Sequence, residues 1–299
     1  MKAHSSILKG SLFIILAACC YGMLGTFVKL AYRDGYGTDE VTISQFSLGF
    51  IALLIFNLAR RRKEKTKSAI NGRGIKSYAK VIIAGTSLGL TSIFYYLSIK
   101  YLSVGIGIVL LVQATWMSLV VEMIQNRRRP EFSKVFSVVI ILFGTIMATN
   151  VLHQDSHVNW KGIVFGILAA ISYTTTMYSS NNIGLGFSAI TRSFLMISGG
   201  FAVVLLAFFS SLGHGFSFGI FVSWGLPIAL FGTILPPILF AKGMPLTGVG
   251  LGAIFTSLEI PVSIIFANAL LDEQVAIIQW MGIFFILTAV VLKNVKLNL

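Results

Sequence analysis

The sequence predicts an all-α polytopic membrane protein, ten transmembrane helices in two inverted five-helix repeats, and three observations carry that prediction. Apolar runs near the bilayer-crossing length of about 20 residues succeed one another along the whole chain. The short connections between them alternate in charge. The first half is echoed about 145 to 152 residues later. With 299 residues, 56% hydrophobic and 11% charged, the chain is too apolar for a soluble globule and too long for one or two anchors.

The runs lie near residues 11–31, 40–59, 79–99, 104–124, 133–151, 160–180, 188–210, 220–241, 248–268 and 275–292. All ten are expected to be helices, because lipid leaves no backbone group unpaired and none of the runs alternates as a β-barrel strand would. Cys19 and Cys20 are adjacent inside the first run, so they form no disulfide framework. Leu16-Ala17-Ala18-Cys19 resembles a lipoprotein cleavage box, but the apolar run continues through Tyr21 to Leu30 and more spans follow.

Charge fixes the expected orientation. The net charge of +13 is gathered into short loops, which makes it a topology signal rather than a nucleic-acid surface. Arg60 to Lys80 crowds the second connection with bases, and Arg127, Arg128, Arg129 and Lys134 crowd the fourth. The first connection carries Asp34, Asp39 and Glu40 against Arg33, and the third only Lys100. The even connections and both termini are therefore expected in the cytoplasm, with Lys2, Lys9, Lys293 and Lys296 agreeing.

The repeat appears when the halves are aligned. Val104-Gly105-Ile106-Gly107-Ile108 matches Val249-Gly250-Leu251-Gly252-Ala253, and the same offset brings Ser118 to Ser263 and Ser137 to Gly282. Ile15-Leu16-Ala17-Ala18 with Tyr21 matches Ile167-Leu168-Ala169-Ala170 with Tyr173. The halves are expected at 1–152 and 153–299. Five spans is an odd number, so the second copy must lie inverted relative to the first. The acidic Asp272-Glu273 opposite the basic Arg127-Arg128 agrees with that inversion.

On these features the chain resembles the EamA family of the drug/metabolite transporter superfamily. The resemblance rests on the two copies, the Gly-x-Gly entries to spans 4 and 9, and the run Ser257-Leu258-Glu259-Ile260-Pro261 with Leu271-Asp272-Glu273 and Gly282. It implies ten helices, pseudo-twofold symmetry and a central cavity lined mainly by spans 1, 3, 4, 6, 8 and 9. It also implies a small metabolite, such as an amino acid or a related compound, as substrate. Arg192 fits the family's basic position opening span 7, where the first half holds Gln45.

Glu259 is the leading functional candidate, because an acid at mid-depth costs several kcal/mol and normally faces a cavity or a partner. Helical spacing puts Gly252, Thr256, Glu259, Ser263 and Phe266 on one narrow stripe. Pro261 removes a backbone donor and is expected to leave a carbonyl near Glu259 free for a ligand or a water. The repeat puts Ala114 opposite Glu259, so the acid is unduplicated, which favours substrate or proton binding over a helix-to-helix tie.

Span 6 is unusually polar, with Ser172, Thr175, Ser179 and Asn182 on one face and Tyr173, Thr176 and Ser180 on the next. It reads as a water-accessible wall, the alternative being hydroxyls bonded to their own backbone or gluing helices together. In span 4, Gln113 and Trp116 share one face, and Thr115, Ser118 and Glu122 the other. The match of Ser118 to Ser263 favours the second face for the cavity, with Glu122 in an interfacial ion pair. Pro236-Pro237 must kink or locally unwind span 8, as a static bend that shapes the bundle or as a gate that exposes carbonyls. Arg192 either snorkels to headgroups or takes part in gating or substrate binding.

No Gly-Lys-Ser/Thr phosphate loop, Gly-x-Ser-x-Gly or His-Glu-x-x-His motif occurs, and His4, His153, His157 and His214 fall at the ends or in loops. The reading is therefore a secondary transporter, permease or exporter, working by alternating access on a small molecule and coupled to protons. It needs no cofactor or metal, binds no nucleic acid, and sits as monomer or homodimer in a bacterial inner membrane. The rival is a non-transporting receptor or intramembrane enzyme; a receptor would not need two inverted copies, and an enzyme would need a nucleophile or metal set that the sequence does not offer.

Overall fold

The computed structural model describes residues 2–64, 74–102, 104–149, 159–213, 215–271 and 274–295. Asp272-Glu273, residues 65–73 of the Arg60–Lys80 loop, and His153, His157 and His214 lie outside the described residues. The described chain is helical, with no strand among those residues. Among the described residues eight helices are long and apolar enough to cross a membrane, and Phe132–Ala148 and Ile277–Leu292 are shorter apolar helices. At 17 residues, Phe132–Ala148 rises about 26 Å, less than the roughly 30 Å of bilayer hydrocarbon.

In the first half, α1 (Lys2–Arg33), α2 (Thr38–Glu64) and α3 (Ile75–Tyr101) are continuous helices. The fourth span is two helices, α4 (Val104–Val112) and α5 (Ala114–Asn126), and α6 (Phe132–Ala148) follows. The second half repeats the order with α7 (Trp160–Asn182) and α8 (Ala189–Phe208). After a turn, α9 (Ile220–Ser223), α10 (Gly225–Ala229), a π turn at Leu230–Ile234 and α11 (Leu235–Thr247) make up the eighth region. Its membrane-crossing part, Gly225–Thr247, begins five residues later than the apolar run and continues past Lys242. The Lys242 ammonium rests 5.4 Å from the centre of the Phe13 ring, which gives the charge a partner on α1. Span 9 is again split, into α12 (Val249–Thr256) and α13 (Glu259–Leu271), before α14 (Ile277–Val295).

Side chains at the helix ends explain several boundaries. Asn159 and Ser188 cap α7 and α8 by accepting from the backbone N–H groups of Lys161 and Thr191 at 3.0 and 3.1 Å. Gly248, with φ at +82°, turns the chain directly from α11 into α12, a conformation that costs glycine little.

Packing follows a twofold exchange of halves. The first span, α1, packs on α11 of span 8 and α13 of span 9, while its counterpart α7 packs on α3 and α4. The pairs α2 with α8 and α6 with α14 each join a helix to its own counterpart, and α5 with α12 joins span 4 to span 9. Large apolar side chains such as Phe132, Leu206 and Phe284 are exposed on the outer surface, where hydrocarbon rather than water suits them. The chain is thus an integral membrane protein.

Hydrogen bonds tie the connections into two ends. At one end Trp224 Nε1 donates to Asp34 Oδ2 at 2.6 Å, and Glu40 accepts from the N–H groups of Gly37 and Ser217, each at 2.6 Å. At the other end Gln125 Nε2 donates to Asn182 Oδ1 at 2.7 Å. Glu122 there accepts from Lys134 at 2.8 Å, an ion pair as expected, made with Lys134 rather than with Arg127, Arg128 or Arg129.

A candidate substrate cavity between the halves

The breaks in spans 4 and 9 occupy matching positions, at Gln113 and at Ser257-Leu258. In span 4 the Gln113 N–H bonds the Leu110 carbonyl, and its side-chain amide donates to the Val109 carbonyl at 3.0 Å. The side chain thus satisfies a carbonyl that the regular ladder has abandoned. Trp116 Nε1 donates to Gln113 Oε1 at 2.9 Å and is 41% exposed on the outer surface. Neither residue lines the cavity, and both serve the break.

The second break is built the same way. Thr256 and Ser257 hydroxyls donate to the carbonyls of Ala253 and Ile254 at 2.9 and 2.7 Å. Pro261 cannot donate to Ser257, but that carbonyl accepts from Ile260 N–H at 3.2 Å, so the carbonyl expected to be free is occupied. The stripe expected along one helix is divided by the break. Glu259 and Ser263 line the cavity, whereas Thr256 is buried beside Tyr173.

The cavity, about 150 Å³, lies between the halves and draws on spans 1, 2, 3, 4, 6, 8 and 9. At its floor the Tyr173 hydroxyl donates to Glu259 Oε2 at 3.4 Å. Tyr21 meets Tyr173 edge-on, with ring centres 6.3 Å apart. From Tyr21 the lining climbs α1 past Gly25 and Lys29 to Tyr32, about 16 Å along the helix, toward the end that carries Asp34 and Trp224. On the wall, Tyr96 donates to Gln45 Oε1 at 3.1 Å and Thr233 donates to the Gln45 carbonyl at 2.8 Å. Glu259 is the acid of this lining, Lys29 its base, and tyrosines from three helices complete the polar surface.

Glycine lets α1 approach the acid. A Cβ at Gly22 would lie 2.6 Å from the Glu259 carbonyl oxygen and 2.7 Å from Val262 Cβ. At Gly25 it would meet only Ser263 Oγ, at 3.6 Å.

The break in span 8 also reaches the cavity. Pro236 and Pro237 are buried at the start of α11 and lack the N–H groups that would bond Gly232 and Thr233, so the preceding turn widens to π. Gly232 and Thr233 line the cavity; the prolines stand behind them.

The remaining candidates lie away from it. Of the polar face of span 6, only Tyr173 lines the cavity. Thr176 is buried, 2.7 Å from the Ser87 hydroxyl on α3, Ser179 and Ser180 are buried, and the exposed Thr175 bonds its own helix at Ile171. The polarity of span 6 thus serves helix contacts and backbone bonding, in place of the expected water-lined wall. Ser118 is buried and donates to Met177 Sδ at 3.4 Å. Arg192 does not snorkel. It is 2% exposed and donates to the carbonyls of Ser180 and Ala241. Tyr21, Lys29, Gln45, Tyr95 and Tyr96 were absent from the sequence candidates, although the match of Tyr21 to Tyr173 already pointed to the first.

No curated protein matches the chain. A solved structure titled "Crystal structure of protein" shares the fold, with a TM-score of 0.75 and 13% identity over 94% of this chain and 96% of its own. A model of the EamA-like transporter family matches residues 8–150 and again 160–295, two copies spanning nearly the whole sequence, and the chain belongs to that family.

Proposed function

We infer that the protein is a secondary transporter that moves a small metabolite, such as an amino acid or related compound, by alternating access between inverted halves. One observation carries the reading: a cavity between the halves holds an acid at its floor and reaches one end of the bundle, while the other end is packed shut. A bilayer-spanning bundle gains nothing from an acid there unless the acid meets a substrate or a proton. The two shorter helices cross as spans 5 and 10, giving ten, with the bilayer thinning or the flanking residues snorkelling to match their length. Positive-inside logic puts both termini in the cytoplasm, so the cavity opens outward.

Counterflow of a metabolite mixture into liposomes holding the purified protein, followed by mass spectrometry, tests this. Selective accumulation over protein-free liposomes is the expected result. Equal accumulation across amino acids, amines and carboxylates would refute it.

A further inference from the structure

The closed end of the bundle is the counterpart of the open cavity, position by position. Tyr21 and Tyr173 are repeat partners, so the same offset takes Gly25 to Met177, and the offset of the Gly-x-Gly entries takes Ser263 to Ser118. In the cavity, Gly25 leaves space before Ser263; at the closed end Met177 fills it and accepts a hydrogen bond from Ser118 at 3.4 Å. Likewise Tyr96 corresponds to Ala241, and Gln45 to Arg192. Tyr96 donates to Gln45 on the cavity wall, and Arg192 donates to the Ala241 carbonyl at the closed end.

Arg192 is poorly matched to that setting. It is buried, its Nε has no hydrogen-bond partner, and the partners of its Nη2 are carbonyl oxygens. Among the described residues no carboxylate pairs with it. A buried guanidinium without an anion is costly, and its planar fork is shaped for a carboxylate. We propose that Arg192 is the oxyanion-binding residue of a second cavity, which forms when the closed end opens and takes the carboxylate of the transported molecule there. This rests on the transport reading. The two cavities then differ in charge: an acid serves the open one, and a base its counterpart.

The test uses Ala241→Cys with Cys19 and Cys20 replaced by Ser, in phosphatidylcholine vesicles. Labelling is measured with an anionic sulfonatoethyl and a cationic trimethylammonium-ethyl methanethiosulfonate, each normalised to its rate with free cysteine. The anionic reagent is expected to react at least about tenfold faster, the low end of what a charged cleft provides. Arg192→Gln, the residue its counterpart position carries, should abolish the preference, and Arg192→Lys should keep it. 3-Phenylpropionate should slow labelling, and phenethylamine should not. A labelled cysteine without the preference, or a preference that survives Arg192→Gln, overturns the anion site and leaves the transport reading standing. A cysteine that never labels overturns both. Slowing by phosphatidylglycerol but not by 3-phenylpropionate would assign the guanidinium to lipid and overturn the proposal.

Discussion

Two glycines three residues apart on α1 should respond in opposite ways to the same methyl group. At Gly22 an added Cβ would lie 2.6 Å from the Glu259 carbonyl and 2.7 Å from Val262 Cβ. Ordinary contact begins near 3.4 Å, so α1 must retreat from α13 by close to 1 Å. Overpacking of this kind costs about 1–3 kcal/mol, against about 1 kcal/mol gained by replacing glycine with alanine in a helix. Gly22→Ala is therefore expected to lose up to about 2 kcal/mol. Gly25→Ala meets Ser263 Oγ at 3.6 Å and should be neutral or slightly stabilising. Function should diverge further, because displacing a site by about 1 Å can cost on the order of 100-fold in rate. Melting in detergent and counterflow in liposomes, run on both variants, measure the two effects. Equal behaviour of the two alanines would refute the claim that α1 is held against the acid by the missing Cβ of Gly22.

The other predictions concern the breaks and the topology. Gln113→Leu should destabilise by about 1–3 kcal/mol in thermal unfolding, since it orphans the Val109 carbonyl, while Trp116→Leu should be nearly silent in transport. Replacing Pro236 and Pro237 by Ala should straighten the π turn and slow transport more than it lowers the folded amount; unchanged transport at equal expression would reduce the pair to a static bend. A cysteine at Asn126, with Cys19 and Cys20 replaced by Ser, should resist an impermeant thiol reagent in intact cells and react after permeabilisation.

The family, the helical class and the position of Glu259 in the cavity were legible in the sequence, because hydropathy, loop charge and repetition are carried by many residues at once. Breaks were legible only where proline marks them. Span 8 was found through Pro236-Pro237, while the span 4 break is marked by one glutamine whose amide mimics a backbone donor. The polarity of span 6 misled for a physical reason: serine and threonine satisfy themselves on the carbonyl one turn back, so a polar face need not be a wet one. Trp116 misled similarly, since an indole whose N–H finds an acceptor three residues back suits a lipid-facing surface. Gln45 and Tyr96 sit far apart in sequence and become a wall only by packing, although Tyr21 could have been found by carrying Tyr173 back through the repeat.

The central claim is that Glu259, bonded by Tyr173 at the cavity floor, is a protonatable group in the transport path. Glu259→Gln keeps the shape and the hydrogen bond and removes the proton exchange. The most direct measurement is the initial counterflow rate of wild type and Glu259→Gln in liposomes between about pH 5.5 and 8.5, an interval in which a cavity carboxyl can titrate. The account predicts a wild-type rate that varies with pH and a Gln variant, folded to the same extent, that is either inactive or flat across the range. A Gln variant that matches wild type at every pH would contradict it and leave Glu259 a packing residue.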